Sequence, residues 1–283
     1  MKKARVIKLI SNQYTILMGD FITLAKPMGK LRLKTSPIVG DFVRVEQLEE
    51  HWVIQDVCER ENQLTRPTIA NVDQALVVTS LVRPDFSETL LDRQLFLIMY
   101  ENIKPVICIT KRDLVAAYDP VFDVVDDYIQ SGYHVLLTGF GYDVREIKEV
   151  LRDKITVLTG QSGAGKSALL NRLDASFQIK TQETSRALNR GRHTTRHVEL
   201  HPVASGWVAD TPGFSALSFE HIDKRRLSEV IIDFQPYLAQ CRFRDCVHIN
   251  EPGCAVKEAV SDNKISEIRY QNYVDVCTLI DEG

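Results

Sequence analysis

The chain has 283 residues, of which 44% are hydrophobic and 26% are charged, a composition typical of an ordinary globular protein with room for two or three domains. Its N-terminus is basic but lacks the apolar core and the small-residue cleavage site of a signal peptide, and no run of about 18 apolar residues predicts a membrane span. We therefore expect a cytoplasmic protein with no membrane partner. We also expect it to act as a monomer.

The formal net charge of −3 conceals a strongly basic beginning. Residues 1–35 carry eight lysines and arginines against the single acid Asp20, a net charge of +7. A local basic face can bind RNA even when the whole chain is slightly acidic. The alternative is a solvated surface that happens to be basic.

Residues 1–64 are predicted to form an all-β domain. Short apolar stretches alternate with turn residues such as Gly19-Asp20 and Gly40-Asp41, and no helical period interrupts them. The predicted strands are Ala4–Leu9, Gln13–Met18, Phe21–Leu24, Leu31–Leu33, Asp41–Val45 and Trp52–Val57. Such a set favours a small RNA-binding barrel of the OB type, although the pattern alone does not exclude an SH3-like barrel.

Residues 65–218 are predicted to form an α/β domain, since buried strands alternate there with helices. The predicted strands are Gln74–Val82, Lys104–Thr110, His134–Thr138, Ile155–Thr159 and Trp207–Asp210. The predicted helices are Ser87–Tyr100, Val121–Ser131, Val144–Arg152 and Lys166–Leu173. Residues 219–283 are predicted to form a small helical domain, with helices over His221–Leu238 and Ser261–Leu279.

A phosphate-binding loop follows the strand Ile155–Thr159. Its sequence is Gly160-Gln161-Ser162-Gly163-Ala164-Gly165-Lys166-Ser167, which matches G-x-x-x-x-G-K-[ST]. The glycines would let backbone N–H groups face the phosphates, Lys166 would neutralise the β- and γ-phosphates, and Ser167 would offer its hydroxyl to Mg²⁺. A glycine-rich turn before a helix is the plainer alternative.

A candidate guanine-reading segment, Thr110-Lys111-Arg112-Asp113, ends the strand Lys104–Thr110. The Asp113 carboxylate can accept two hydrogen bonds from guanine N1–H and its 2-amino group, which adenine does not offer, and the stem of Lys111 can cover the base. Thr110 stands where guanine-binding proteins usually have Asn, so we expect guanine preference with weaker affinity. A simple turn entering a helix is the alternative.

A second set of nucleotide-responsive residues lies after the phosphate loop. Asp210-Thr-Pro-Gly213 matches D-x-x-G at a strand end, so Asp210 would hold Mg²⁺ and the Gly213 amide would sense the γ-phosphate, unless the segment is only an Asp-initiated turn. In the segment 189–197, Thr194 and Thr195 are candidates for a switch threonine, and we favour Thr195. Phe214 occupies the position of a water-orienting Gln and cannot take that role. Either intrinsic hydrolysis is slow, or another group orients the water, for which His193 is the nearest candidate.

Cys241, Cys246, His248 and Cys254 form a Cys₃His set in a short stretch. In a cytosolic chain such a cluster indicates a metal and not a disulfide, and four such ligands suit tetrahedral, structural Zn²⁺. Three reduced cysteines buried in a small helical domain are the alternative.

The order of these motifs is unusual, because the base-reading segment precedes the phosphate loop. This order resembles that of circularly permuted GTPases. Together with GQSGAGKSALLN, GRHTT, DTPGF and C-x4-C-x-H-x5-C, it closely resembles the ribosome small-subunit-dependent GTPases, a family of bacterial 30S maturation factors. The resemblance covers essentially the whole chain, and Thr110 departs from the usual Asn.

The resemblance implies a circularly permuted P-loop GTPase domain with an OB-like barrel before it and a zinc-binding domain after it. It implies hydrolysis of GTP to GDP, a role in late maturation of the 30S subunit through its 16S rRNA, one structural Zn²⁺, and Mg²⁺ bound with GTP. It also supports His193 as the water-positioning residue. Two other hypotheses stay open at this point: a P-loop ATPase or kinase, and an RNA-binding assembly chaperone in which GTP only stabilises the fold.

Overall fold

The structure, a computed structural model, describes residues 1–10, 12–29, 35–65, 68–174, 198–210 and 218–282. The chain divides into two compact units. The first comprises Met1–Gln74, Val144–Leu158 and Ser167–Gly213, and the second comprises Ala75–Asp143, Thr159–Lys166 and Phe214–Gly283. Among the described helices, none combines the length and the apolar character that a bilayer crossing needs.

A closed five-stranded barrel forms the N-terminal part of the first unit. Its strands are β1 (Lys2–Ile10), β2 (Gln13–Met18), β3 (Phe21–Pro27), β4 (Phe42–Leu48) and β5 (His51–Val57). They pair in the order β1-β2-β3-β5-β4, with β3 and β5 parallel, which confirms the predicted OB-like barrel. Val6, Ile16, Val43 and Ile54 are fully buried inside it, as the alternation of apolar residues predicts.

Six strands form a mixed sheet in the order β10-β9-β8-β11-β13-β12. They are β8 (Gln74–Ser80), β9 (Lys104–Thr110), β10 (His134–Leu137), β11 (Ile155–Gly160), β12 (Leu200–Val203) and β13 (Gly206–Asp210). The helices that accompany them are α1 (Glu88–Tyr100), α2 (Val121–Gln130), α3 (Arg145–Leu151) and α4 (Lys166–Leu173). Every residue of β8 is buried, as expected for a central strand of an α/β sheet.

The structure adds two hairpins and a helix cap to the predicted elements. The β6–β7 hairpin (Gln63–Thr65 and Thr68–Ala70) and strand β12 were not predicted, because these strands are too short to show a period, whereas β13 corresponds to the predicted strand Trp207–Asp210. Ser87 caps α1, accepting a hydrogen bond from the Leu90 amide at 3.3 Å. The predicted strand Leu31–Leu33 lies outside the described residues.

The C-terminal region of the second unit contains shorter helices than the sequence predicted. They are α5 (Lys224–Val230), α6 (Ala255–Ser261) and α7 (Glu267–Glu282). The prediction of one helix over His221–Leu238 was wrong, because α5 begins at its Asp223 cap and ends where Ile231 turns extended. The predicted closing helix Ser261–Leu279 is present as α7 but begins six residues later, at Glu267, because a turn with Asn263 at φ 57° separates it from α6.

A buried arginine fixes helix α7 within the second unit. The Arg269 side chain is 1% exposed and pairs with Asp233, with Asp127 at 2.6 Å and with Asp92 at 3.5 Å. Its guanidinium also lies 4.0 Å from the centre of the Tyr128 ring. Burial raises the pKa of Asp92 to about 6, although Arg269 and hydrogen bonds from Tyr128 and Asn272 oppose the rise.

Candidate functional site

The phosphate loop adopts a conformation that only glycine tolerates at key positions. Gly160 has φ +130°, and a Cβ there would lie 1.9 Å from the Val78 carbonyl oxygen. Gly163 and Gly165 also have positive φ angles, of +79° and +97°. The Lys166 ammonium donates to the carbonyl oxygens of Gly160 at 2.7 Å and Gln161 at 2.8 Å. The loop is thus curled back on itself, with its lysine held over it.

The predicted base-reading segment contacts the phosphate loop directly, although about fifty residues separate them in the chain. The Thr110 hydroxyl lies 2.5 Å from the Ala164 carbonyl oxygen and 3.1 Å from that of Thr79. Lys111, in the left-handed region at φ 61°, donates from its ammonium to the carbonyl oxygens of Gly163 at 2.8 Å and Arg83. These bonds hold the two motifs in one local structure.

Asp113 presents an exposed carboxylate beside the end of strand β10. Its Oδ1 accepts a hydrogen bond from the Phe140 amide at 2.8 Å, and a Cβ on Gly139 would lie 2.3 Å from the same oxygen. Gly139 and Phe140 were missed by the sequence reasoning. The signal that could have found them is a glycine directly after a strand that neighbours β9 in a parallel sheet.

The predicted magnesium ligands are described only in part. Ser167 is the second residue of α4, directly after Lys166. Asp210 ends β13, where its Cα pairs with that of Leu158 on β11, so the D-x-x-G motif begins beside the strand that leads into the phosphate loop. His193, Thr194, Thr195, Gly213 and Phe214, and the side chain of Asp210, lie outside the described residues.

The structure brings the four predicted metal ligands together. The ligand atoms of Cys241, Cys246, His248 and Cys254 all lie within 4.8 Å of one another. His248 Nδ1 is 3.3 Å from the Cys254 sulfur and 3.6 Å from the Cys241 sulfur, close to the edge lengths of a tetrahedral zinc site. Burial raises the pKa of the Cys246 thiol to about 12, so a bound cation is what would make it a thiolate.

The loop that carries His248 is held by neighbouring side chains. The hydroxyls of Tyr270 and Tyr273 donate to the carbonyl oxygens of His248 at 2.7 Å and Val247 at 2.6 Å. The Glu251 carboxylate accepts from the amides of Val247 and Ile249, each at 2.9 Å. Two residues of α7 thus position a ligand that lies in the left-handed region, at φ 62°.

Comparison with known proteins agrees with this arrangement. The family model described as RsgA GTPase matches residues 57–220. The small ribosomal subunit biogenesis GTPase RsgA 1 of Listeria monocytogenes is 41% identical over 98% of this chain and 96% of its own length. The small ribosomal subunit biogenesis GTPase RsgA of Bacillus cereus is 44% identical over 96% of this chain and 95% of its own length.

Two solved structures are similar over nearly the entire chain. YloQ, described as a circularly permuted GTPase, has a TM-score of 0.84 and 38% identity, covering 100% of this chain and 96% of that one. YjeQ from Thermotoga maritima has a TM-score of 0.83 and 34% identity, covering 99% of this chain and 98% of that one. With these similarities, and with the predicted base-reading segment bonded to a phosphate loop that follows it in sequence, this chain belongs to the RsgA GTPase family, whose members hydrolyse GTP.

Proposed function

We propose that this GTPase acts in the maturation of the small ribosomal subunit, hydrolysing GTP to GDP and phosphate when it is bound to that subunit. Its relatives carry the name small ribosomal subunit biogenesis GTPase, which supports the proposal. The protein would bind GTP or GDP and the 16S rRNA of the 30S subunit, and would act in the cytoplasm as a monomer.

The observation that carries the nucleotide part is the bonding of Thr110 and Lys111 to the carbonyl oxygens of Ala164 and Gly163. These bonds orient the segment that ends in the Asp113 carboxylate against the loop that binds phosphates. A P-loop ATPase or kinase has no need of a carboxylate in that position, since adenine offers it no pair of donors. The geometry therefore favours a guanine nucleotide.

Within this proposal, the residues have separate tasks. Asp113 reads the guanine edge, Lys111 covers the base, and the amides of the loop 160–167 surround the phosphates with Lys166 neutralising their charge. Ser167, Thr195 and Asp210 would hold Mg²⁺, which supplies charge neutralisation between the β- and γ-phosphates. Gly213 would sense the γ-phosphate, and His193 would orient the attacking water.

The parts outside the nucleotide site would bind the ribosome. We propose three functional segments: the barrel 1–64, the GTPase domain 65–218 and the helical domain 219–283. The cluster of Cys241, Cys246, His248 and Cys254 would hold one structural Zn²⁺, which would stabilise a segment too small to form a large core.

The test is GTP hydrolysis by the purified protein alone, with purified small subunits, and with purified large subunits. We expect at least tenfold stimulation by small subunits and none by large ones. His193→Ala should lose the stimulated rate and keep GDP binding, whereas Lys166→Ala should lose both. Equal rates with and without small subunits would refute the ribosomal role and leave a guanine nucleotide-binding protein.

A further inference from the structure

A cavity of about 390 Å³ lies in the first unit, where the barrel meets the β12–β13 hairpin and the turn before β11. Its volume is within the range of small-ligand sites. Its lining includes the side chains of Lys3, Arg5, Phe42, Asp153, Ser205 and Trp207. The residues come from separate parts of the sequence, so the chain must fold to form the cavity.

Two cations converge on one aromatic ring at this cavity. The Lys3 ammonium is 3.9 Å and the Arg5 guanidinium 4.1 Å from the centre of the Phe42 ring. Within the described residues, neither cation has a carboxylate oxygen within 4.0 Å. Burial lowers the pKa of Arg5, and the more distant charges of Asp73 and Glu61 oppose the effect. Two like charges held together without an adjacent counter-charge attract an anion such as a phosphate.

The remaining walls suit a nucleobase. Trp207 is partly exposed and offers an indole on which a base can stack, and the Asp153 carboxylate and Ser205 hydroxyl can bond to the polar edge of a base. The wall is firmly built, because Asp153 N–H donates to the Ser205 carbonyl oxygen at 3.0 Å. Ala204 and Ser205 both have positive φ, of 51° and 61°, which holds the hairpin turn tight.

Among the described residues of the barrel, every contact between a cation and an aromatic ring involves strand β1. The exposed middle of β3, on the face that OB-folds commonly use for oligonucleotides, instead carries the aliphatic Ile22 and Leu24, each 52% exposed. The paired cations Lys3 and Arg5 and the Phe42 ring beneath them therefore lie on β1 and β4, away from that face.

We propose that this cavity binds one unstacked nucleotide of single-stranded RNA, with its phosphate at Lys3 and Arg5 and its base against Trp207. The inference rests on the proposed ribosomal function, because the ribosome supplies the RNA. Trp207 and Asp210 lie on the same strand about 10 Å apart, and Lys8 pairs with Glu199 just before β12 at 2.6 Å. RNA in the cavity thus contacts the hairpin that leads to the proposed magnesium ligand.

The test uses Trp207 as its own reporter. The chain has two tryptophans, so Trp52→Phe leaves Trp207 as the single fluorophore. We expect a six-nucleotide single-stranded RNA to quench its emission saturably, and a duplex RNA of equal charge or inorganic phosphate to bind at least tenfold more weakly. Quenching by inorganic phosphate or by the duplex at the same concentration as by the single strand would overturn the proposal, since it would show a general anion site.

Matched variants locate the binding. Lys3→Gln should weaken RNA binding about tenfold, whereas Lys26→Gln, which removes an equally exposed charge from β3, should change it less than threefold. Phe42→Leu should remove the ring that holds both cations together, with a similar loss of about tenfold. Thermal unfolding and intrinsic GTP hydrolysis of Lys3→Gln should match those of the parent protein. Equal effects of the Lys3 and Lys26 substitutions would overturn the site assignment.

Small-subunit-stimulated hydrolysis separates the two proposals. If subunits stimulate the parent protein and the Lys3→Gln variant equally at limiting subunit concentration, the cavity proposal fails and the ribosomal function stands. If subunits do not stimulate the parent protein, the ribosomal function fails. We expect the Lys3→Gln variant to need about tenfold more small subunits than the parent protein for the same stimulation of GTP hydrolysis.

Discussion

The hydroxyl of Thr110 lies 2.5 Å from the carbonyl oxygen of Ala164, in the middle of the phosphate loop. The same hydroxyl is 3.1 Å from the Thr79 carbonyl oxygen, so two acceptors share its single proton. At this point the segment Thr110–Asp113, proposed to read the base, and the phosphate loop form one local structure.

Thr110→Asn should tighten guanine nucleotide binding. A side-chain amide has two protons and can donate to both carbonyl oxygens at once, which a hydroxyl cannot do. One additional buried hydrogen bond contributes about 1 kcal/mol, so we expect GDP to bind about fivefold more tightly by calorimetry. Thr110→Ala is the control and should bind GDP about fivefold more weakly. If the alanine variant binds as well as the parent protein, the contact has no role in nucleotide binding.

Gly160→Ala should abolish nucleotide binding and destabilise the fold. Its new Cβ would lie 1.9 Å from the Val78 carbonyl oxygen, so the phosphate loop or strand β8 must move. We expect GDP affinity to fall at least a hundredfold and the free energy of unfolding to fall by more than about 2 kcal/mol. Urea unfolding and GDP titration measure the two effects.

Gly19→Ala provides the matched control for that substitution. Gly19 also has a positive φ, of +59°, but nothing lies within 4 Å of the added Cβ. It should cost only the conformational penalty of about 1 kcal/mol and leave GDP binding unchanged. Equal losses in the two variants would mean that the close approach to Val78 is unimportant.

Asp92→Asn should change how stability depends on pH. Burial raises the pKa of Asp92 from 3.8 to about 6, so between these values the unfolded chain has lost a proton that the folded chain keeps. The free energy of unfolding of the parent protein therefore falls as pH rises from 4 to 6, on the order of 3 kcal/mol from this group. The Asp92→Asn variant lacks this decline. The free energy of unfolding of the variant minus that of the parent should therefore increase from pH 4 to 6 and level off above pH 7.

Urea unfolding at pH 4.5, 5.5 and 7 gives the comparison. Asp127→Asn is the control, because the Asp127 side chain is 40% exposed while pairing with the same Arg269. This variant measures what the loss of one carboxylate partner of Arg269 costs at each pH. A stability difference between Asp92→Asn and the parent that is constant from pH 4.5 to 7 would contradict the raised pKa.

Tyr270→Phe should weaken zinc binding without removing a ligand. The variant loses the hydroxyl that donates to the His248 carbonyl oxygen at 2.7 Å, so the ligand loop is less firmly positioned. Residues of this kind typically contribute tenfold or more to metal affinity, and we expect about a tenfold loss against a chromophoric chelator. Tyr118→Phe, at a side chain that is 99% exposed, should change nothing. Unchanged affinity in the Tyr270 variant would show that the loop is fixed by other contacts.

The motifs predicted much of this protein because their chemistry is local in sequence. The loop 160–167 needs its glycines for its own backbone, and the Cys₃His set lies within fourteen residues, so both could be found without the fold. The barrel was also predictable, since its alternating apolar residues face a single core. The breaks in the C-terminal helices depend on single residues such as Asn263, and periodicity does not detect them.

Features formed by distant residues could not be predicted in the same way. The contact of Gly139 with Asp113 requires the pairing of β9 with β10, and the cavity requires Phe42, Asp153 and Trp207 to meet. The burial of Arg269 could not be predicted either, because its three carboxylate partners come from other segments.

If Thr110–Asp113 reads guanine for the phosphate loop that follows it, Asp113→Asn should reverse the base preference. An Asn side chain keeps the oxygen that accepts from the Phe140 amide at 2.8 Å, but offers an amide donor where the carboxylate accepted. Xanthine has a carbonyl where guanine has its 2-amino group. In a competition measurement, the parent protein should prefer GDP to XDP by at least a hundredfold, and the variant should prefer XDP. A variant that still prefers GDP would show that Asp113 does not read the base.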